Sequence, residues 1–268
     1  MLSNLHTHTT FCDGKNTVDE VVQAAIEKGF HSIGFSGHGF TDFDRSYCMK
    51  DTNGYIAAVN AAKTHFAGKI EVYLGVEEDA FYPLPNRKEF DYTIGSSHYF
   101  NINGTYYPVD SNPACFAKCA DAFHGDYIAL TESYYRAFCE YLISHRPTIV
   151  GHFDLITKFD ELEGSFEMLK DPAYQALANK YLLEAMKAGS FFEVNTGAIS
   201  RGYRTTPYPS GELLHTLKKE NGRLILTSDS HRADTLDHSF EDTRHLLKEI
   251  GFEYVYALYG GVFAKDYL

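Results

Sequence analysis

No stretch approaches the roughly eighteen consecutive apolar residues that a membrane helix needs, and the opening of the chain carries His, Asp and Lys where a signal peptide would be apolar. The expected place of work is the cytoplasm. Cysteine is scarce and odd in number, five in 268 residues, without the spacing of a disulfide framework. Cys115 and Cys119 lie one helical turn apart but have no matching second pair, which leaves a zinc site there unsupported. Basic residues are in deficit, 24 against 36 acidic, and the net charge of −12 argues against nucleic acid as a partner. A small anion can still bind where positive charge is supplied locally, for example by metal ions. Neither a G-x-S-x-G elbow nor a G-x-x-x-x-G-K phosphate loop occurs, which excludes the serine-nucleophile and P-loop classes. Repeats, low-complexity tracts and Pro/Gly/Ser linkers are also missing, so residues 1–268 read as a single domain.

What is present is an alternation. Short β-rich apolar runs occupy 1–6, 31–36, 70–77, 91–97, 148–152, 190–195 and 223–229, with a weaker one at 254–258. Helical periodicity fills 17–29, 53–66, 127–145, 172–189 and 210–222. Thr17 and Glu20 form a capping box, and Gly29, Gly189 and Gly222 stand at helix ends. About seven alternations predict a parallel sheet closed into a (β/α) barrel.

Against that frame the histidines acquire a pattern. His6 and His8, His38, Glu77, His98, His152, and Asp229 with His231 fall at or just after the C-terminal ends of successive strands, the face on which barrel enzymes build their sites. His31 opens its strand at the opposite end, and His65, His124, His145, His215 and His245 lie on or beside helices. Imidazoles mixed with carboxylates suit Zn, Mn or Fe, whereas Ca and Mg prefer all-oxygen sites. With Asp13 reaching back from the loop after His8, the set provides enough ligands for two or three ions, and Glu77 is the carboxylate best placed to bridge. Beyond the 190–195 strand, "NTGAISRGYR" offers Arg201 and Arg204 to a phosphate, with Asn195 at the strand end.

"HTH" at 6–8, "GH" at 37–38, "GVE" at 75–77, "IGSSHY" at 94–99, "GHFDLI" at 151–156 and "TSDSH" at 227–231 resemble, in order and spacing, the motifs of the polymerase and histidinol phosphatase family. "FDYTIGSSHY", "EVNTG" and "YPS" are most similar to its histidinol-phosphate phosphatases, and the likeness runs from residue 6 to about residue 252. The resemblance implies a distorted seven-stranded (β/α) barrel, TIM-like, with a trinuclear metal site at the C-terminal strand ends. It implies one ion held by His6, His8, Glu77 and Asp229, a second by Glu77, His98 and His152, and a third by Asp13, His38 and His231. Many relatives have histidine where this chain has Asp13. The resemblance also implies an arginine contacting substrate after the "NT", Arg201 ranking ahead of Arg204.

Two or three cations can clamp phosphate oxygens and lower the pKa of a bound water, so the expected reaction is phosphomonoester hydrolysis with water as nucleophile, served by Glu77, Asp229 and Arg201. Histidinol phosphate is the expected substrate, with acidic partners for its amine among Glu78, Asp79 and Asp154 and with tyrosines for its imidazole. Asp79 and Asp154 are also candidates to protonate the leaving alkoxide or to orient a ligand histidine. Two other readings compete. One is a nucleotide phosphoesterase of the same fold; the other is a metal-dependent amide hydrolase, which often carboxylates a strand lysine, and no lysine stands at a predicted strand end. "LPNRKEF" at 84–90 reads as a solvated turn.

Overall fold

The first seven buried runs become strands that wind around one axis. In the computed structural model, which describes residues 1–268, β1 (Ser3–Asn4), α1 (Val18–Glu27), β2 (Ser32–Phe35), α2 (Thr52–His65), β3 (Glu71–Asp79) and β4 (Tyr92–Ser96) come first. A hairpin of β5 (Tyr99–Ile102) and β6 (Thr105–Pro108) leads to α3 (Pro113–Ala122), α4 (Tyr127–His145) and β7 (Ile149–Val150). The chain continues through α5 (Pro172–Ala185), β8 (Phe191–Asn195), the short α6 (Gly197–Ser200), α7 (Gly211–Lys219), β9 (Leu224–Thr227) and α8 (Phe240–Ile250), and ends in β10 (Tyr254–Tyr259) and β11 (Val262–Tyr267). No helix is long and apolar enough to cross a membrane.

The main sheet has the order β1-β2-β3-β4-β7-β8-β9-β10-β11, parallel throughout except for the antiparallel β10–β11 pair. The segments after β1 and β9 meet at the top, where Thr7 bridges Ser230: His8 N–H donates to the Ser230 carbonyl at 2.8 Å and Ser230 N–H to that of His6 at 3.1 Å. At the bottom β10 joins β9 through one pairing, Tyr256 with Ile225, and the Leu258 carbonyl accepts from Ser32 Oγ at 2.7 Å. The result is a seven-stranded parallel barrel, distorted because an eighth strand intrudes at one end only.

Two cores hold this shape. The larger packs helices against the outside of the barrel; the capping box of Thr17 and Glu20 starts α1 so that Val18, Val21, Val22 and Ala25 face it. The smaller comprises Leu5, Tyr92, Ile94, Ile149, Phe191, Ile225 and Leu258. Tyr92 spans the interior and donates its hydroxyl to the Leu5 and Phe35 carbonyls. Only glycine at 75 leaves room for that ring, since a Cβ there would stand 2.2 Å from Cζ of Tyr92. Two residues beyond Phe191 and Ile225 come Glu193 and Thr227, where the interior turns from apolar to polar. Apolar filling therefore ends just where the site begins.

Candidate metal centre

The strand ends bring nine side chains to one place. His6 and His8 follow β1 on alternate residues and both turn their Nε2 atoms inward: His6 lies 3.2 Å from Glu77 Oε2 and His8 lies 3.2 Å from Asp229 Oδ1. Glu77, inside β3, is the hub. Its Oε1 is 3.0 Å from His152 Nε2 and 3.3 Å from His98 Nε2, while its Oε2 is 3.0 Å from His38 Nδ1. Asp13 gathers the outer group, with Oδ2 3.3 Å from His231 Nε2, and Oδ1 3.7 Å from His38 Nε2 and 3.8 Å from His8 Nδ1. Asp13 reaches back because the loop folds onto the strand that precedes it, Gly14 and Cys12 both donating to the Thr9 carbonyl. A side chain at 14 would meet backbone atoms of His8 and Thr9 at 2.5 Å, so glycine is required there.

Several of these spacings are too long for good hydrogen bonds, and His6 Nε2, His8 Nε2, Asp13 Oδ1 and Glu77 Oε2 are buried with no hydrogen-bond partner at all. Ligand atoms about 2.0–2.1 Å from a shared tetrahedral ion stand about 3.3–3.5 Å from each other, within the 3.0–3.8 Å range of these contacts. Four groups of candidate ligands lie with their donor atoms within 4.8 Å of one another: His8, Asp13, His38 and His231; His6, His8 and Glu77; His6, His152 and Asp229; His38, Glu77 and His98. The donor set thus fits divalent transition metals.

Electrostatics agree. Burial alone would raise the Glu77 carboxyl, but the His6, His38 and His98 rings outweigh it and hold the group well below the ordinary carboxylate range. Burial acts likewise on Asp229, where Arg201 and then His6 reverse it. His8 is pushed down to about 3 by burial and by its neighbours His231 and His38, leaving a neutral ring suited to coordination.

Behind this layer lies a carboxylate that the sequence reading passed over. Glu193 Oε2 accepts from His6 Nδ1 at 2.8 Å and from Thr227 Oγ1 at 2.9 Å; Oε1 accepts from His152 N–H at 2.5 Å and Asn195 Nδ2 at 2.8 Å. Asp79 supports His98 through the backbone, accepting from its N–H at 3.0 Å, while His98 Nδ1 lies 3.4 Å away with no hydrogen bond. Above the cluster opens a cavity of about 430 Å³ lined by Asp13, His38, His98, His152, Asp229, His231 and Arg201, and by Asp44, Tyr47, Tyr99, Asp110 and Lys158.

The PHP domain model matches residues 4–197. The chain belongs to the PHP family. It is 25% identical over 260 residues, 88% of this chain and 96% of the other, to the histidinol-phosphatase of Bacillus subtilis. It is 28% identical over 270 residues, 93% of this chain and 94% of the other, to a "probable histidinol-phosphatase" of Deinococcus radiodurans. The crystal structure of histidinol phosphate phosphatase from Lactococcus lactis, complexed with zinc, L-histidinol and phosphate, superposes with a TM-score of 0.74 at 21% identity, covering 98% of this chain and 99% of that one.

Within this PHP barrel, some residues stand elsewhere than expected. Arg201 does reach the cavity: its Nη2 is 2.9 Å from Asp229 Oδ2 and its Nη1 3.2 Å from the Asp229 carbonyl. Arg204 does not. It is buried over the Tyr208 ring, 4.5 Å from its centroid, donating to Thr157 Oγ1 at 2.9 Å with Asp154 3.7 Å away. Asn195 is also enclosed, its amide donating to Glu193 and its oxygen accepting from Gly197 N–H. Both are spent on the protein's own groups, so neither contacts the cavity. The three acids expected for a substrate amine are likewise withdrawn. Glu78 is fully buried against Tyr141 and Arg87, Asp79 is held by His98 and Phe81, and Asp154 accepts from Ser210 N–H beneath Arg204. Arg87 anchors the 84–90 segment through that contact with Glu78, so the segment is not merely a solvated turn.

Proposed function

We propose that this PHP protein hydrolyses L-histidinol phosphate to L-histidinol and phosphate with the aid of two to three divalent transition-metal ions, Zn, Mn or Fe. The observation that carries the reading is the convergence of His6, His8, Asp13, His38, Glu77, His98, His152, Asp229 and His231 in one cluster, six of which line the cavity above it together with Arg201. His6, His8, Glu77 and Asp229 would hold one ion; Glu77, His98 and His152 a second; Asp13, His38 and His231 a third. The two Glu77 oxygens face different histidines, as a bridging carboxylate requires. Bound ions supply Lewis acidity toward phosphoryl oxygens and an activated water.

The remaining work falls to the chain. Arg201, held planar against Asp229 and partly exposed, presents guanidinium donors to the phosphate as charge builds on its oxygens. Water attacks phosphorus, the P–O bond to histidinol breaks, and one of the water's protons ends on the departing oxygen, giving L-histidinol and hydrogen phosphate. Glu193 fixes the tautomer of His6 so that it directs Nε2 into the cluster, and Asp79 holds the His98 backbone beside it. Arg204 and Asn195 act behind the cavity, tying the 195–210 segment to the 154–161 segment and to Glu193. Five unpaired thiols support work in the reducing cytoplasm.

The curated relatives bear the activity in their names, and the Lactococcus neighbour holds both products of the reaction. The test is phosphate release by metal-reconstituted protein from histidinol phosphate, an aryl phosphate and a dinucleotide. The specificity constant for histidinol phosphate should exceed that for the aryl ester at least roughly a hundredfold, about 2.7 kcal/mol of transition-state discrimination. Equal rates on both esters, or faster cleavage of the dinucleotide, would overturn the assignment.

A further inference from the structure

Four carboxylates line the cavity: Asp13, Asp44, Asp110 and Asp229. Three are committed. Asp13 and Asp229 stand among the histidines, Asp229 also against Arg201, and Asp110 is 3.2 Å from Lys158 Nζ. Asp44 differs in that every group touching it is neutral. Its Oδ1 accepts from Ser46 N–H at 2.9 Å and Ser46 Oγ at 2.7 Å, and its Oδ2 from the Tyr99 hydroxyl at 2.7 Å. No lysine, arginine or histidine pairs with it, and the adjacent Arg45 lies instead over the Phe40 ring, 5.3 Å from its centroid. Burial pushes the Asp44 carboxyl up, but the Ser46 and Tyr99 hydrogen bonds outweigh that and leave it below its ordinary value, so the group is an anion at neutral pH.

Its setting is built rather than loose. Phe43 stacks on Tyr106 of the β5–β6 hairpin with centroids 4.0 Å apart and meets Tyr99 edge-on, so the 41–49 loop is fastened to the wall of the cavity on the side of His98. Tyr47, from the same loop, packs edge-on against His38 at 4.8 Å and lies 6.0 Å from Tyr99. A fixed anion with two aromatic rings beside it and no cation of its own is a receptor for a substituted ammonium group.

We propose that Asp44, flanked by Tyr47 and Tyr99, receives the primary amine of the substrate and is the residue by which this enzyme prefers an amine-bearing phosphate ester to one without an amine. The inference rests on the histidinol phosphate reading and deepens it. It also supplies the acidic partner that Glu78, Asp79 and Asp154 cannot be, since all three are enclosed.

The experiment compares histidinol phosphate with its deamino analogue, 3-(imidazol-4-yl)propyl phosphate, in wild type, Asp44→Asn and Tyr99→Phe, with metal content measured in each. Wild type should favour the amine-bearing ester by roughly ten- to a hundredfold in kcat/KM, the range for one hydrogen-bonded charge pair. In Asp44→Asn that ratio should collapse toward one, chiefly through KM, with metal content unchanged, and L-histidinol should bind correspondingly more weakly by calorimetry. Tyr99→Phe, which keeps the carboxylate but frees it, should lose part of the ratio. Loss of both esters in equal proportion, or a ratio unchanged in Asp44→Asn, would overturn the proposal. Wild type that cleaves the two imidazole esters equally, yet far faster than an aryl phosphate, would overturn the amine site and leave the phosphatase reading intact. Wild type inactive on histidinol phosphate would overturn both.

Discussion

Glu193 and His6 form a buried pair in which the carboxylate accepts from Nδ1 at 2.8 Å and so leaves Nε2 free to face Glu77 and Asp229. Both residues are sealed from solvent, and Glu193 has three further donors, from His152, Asn195 and Thr227. Replacing it with Gln keeps the volume but removes the charge and sets an amide N–H against existing donors. Metal affinity should fall about ten- to a hundredfold, the usual effect of removing such a supporting partner. The check is the rate of metal loss to a chelator in Glu193→Gln beside wild type; identical rates would show that the pair does not tune the site.

Glu77 and Arg201 should separate metal binding from substrate binding. Glu77→Gln removes the shared hub of the cluster, so activity and metal should be lost together. Arg201→Ala should retain its metal and lose about 1.5–3 kcal/mol of transition-state stabilisation, read from kcat/KM. Arg204→Ala should show the opposite profile, a lowered melting temperature with the kinetics of the surviving protein little changed, because its donors serve Thr157 and Thr206. A kinetic defect in Arg204→Ala at normal stability would return that residue to the substrate.

The metal-free protein should have its own pH profile. Glu77 and Asp229 titrate well below their ordinary values of 4.5 and 3.8, so their contribution is present above those values and is lost as pH falls through the depressed ones. His6 and His98 titrate well above 6.5, burial being outweighed by Glu193 and Glu77 for His6 and by Glu77 and Asp79 for His98. Their contribution is complete below 6.5 and is lost as pH rises through the elevated values. His8, pushed down to about 3, works the other way and costs stability as pH falls below 6.5, so the stripped protein should be most stable near pH 6.5. Metal needs the imidazoles unprotonated, so the gap in melting temperature between loaded and stripped protein should widen from pH 6 to pH 8. A gap independent of pH would contradict the assigned proton positions.

Gly75→Ala tests the barrel itself. The new methyl would drive into the Tyr92 ring, and overpacking of this kind costs about 1–3 kcal/mol. Denaturant titration should show that loss, and Tyr92→Phe should not recover it, because the atoms met are those of the ring. No loss in the single variant would mean that the interior is slack.

Much of this architecture is legible from strand ends alone. Parallel strands buried on both faces read as continuous apolar runs, and a His, Glu or Asp that closes such a run has few reasons to be there other than the site. Asp13 was accessible too, because Gly14 marks the tight loop that returns it. The hairpin of β5 and β6 was not, since Tyr99–Pro108 offers only brief alternation around Asn103 and Gly104. β11 was also missed, although Gly260 and Gly261, both at positive φ, carry the signature of a two-residue turn. α8 has strong amphipathic spacing but follows a loop without a side-chain cap. Glu193 was the most readable of the residues passed over, being a lone charge within the apolar run "SFFEVN". Asp44 carries no such signal; its role depends on Tyr99, 55 residues away, and on contacts that only the folded chain makes. Arg204 and Asn195 show the reverse, since their place beside the site is visible in sequence but the direction of their side chains is not.

The claim that nine side chains hold the ions on which hydrolysis depends is tested most directly by titrating chelator-stripped protein with Zn or Mn while recording phosphate release from histidinol phosphate. The account predicts negligible turnover in the stripped protein and activity that rises to a plateau as two to three equivalents of metal bind. Full activity before any metal is added, or a plateau reached with the protein still free of bound metal, would contradict it.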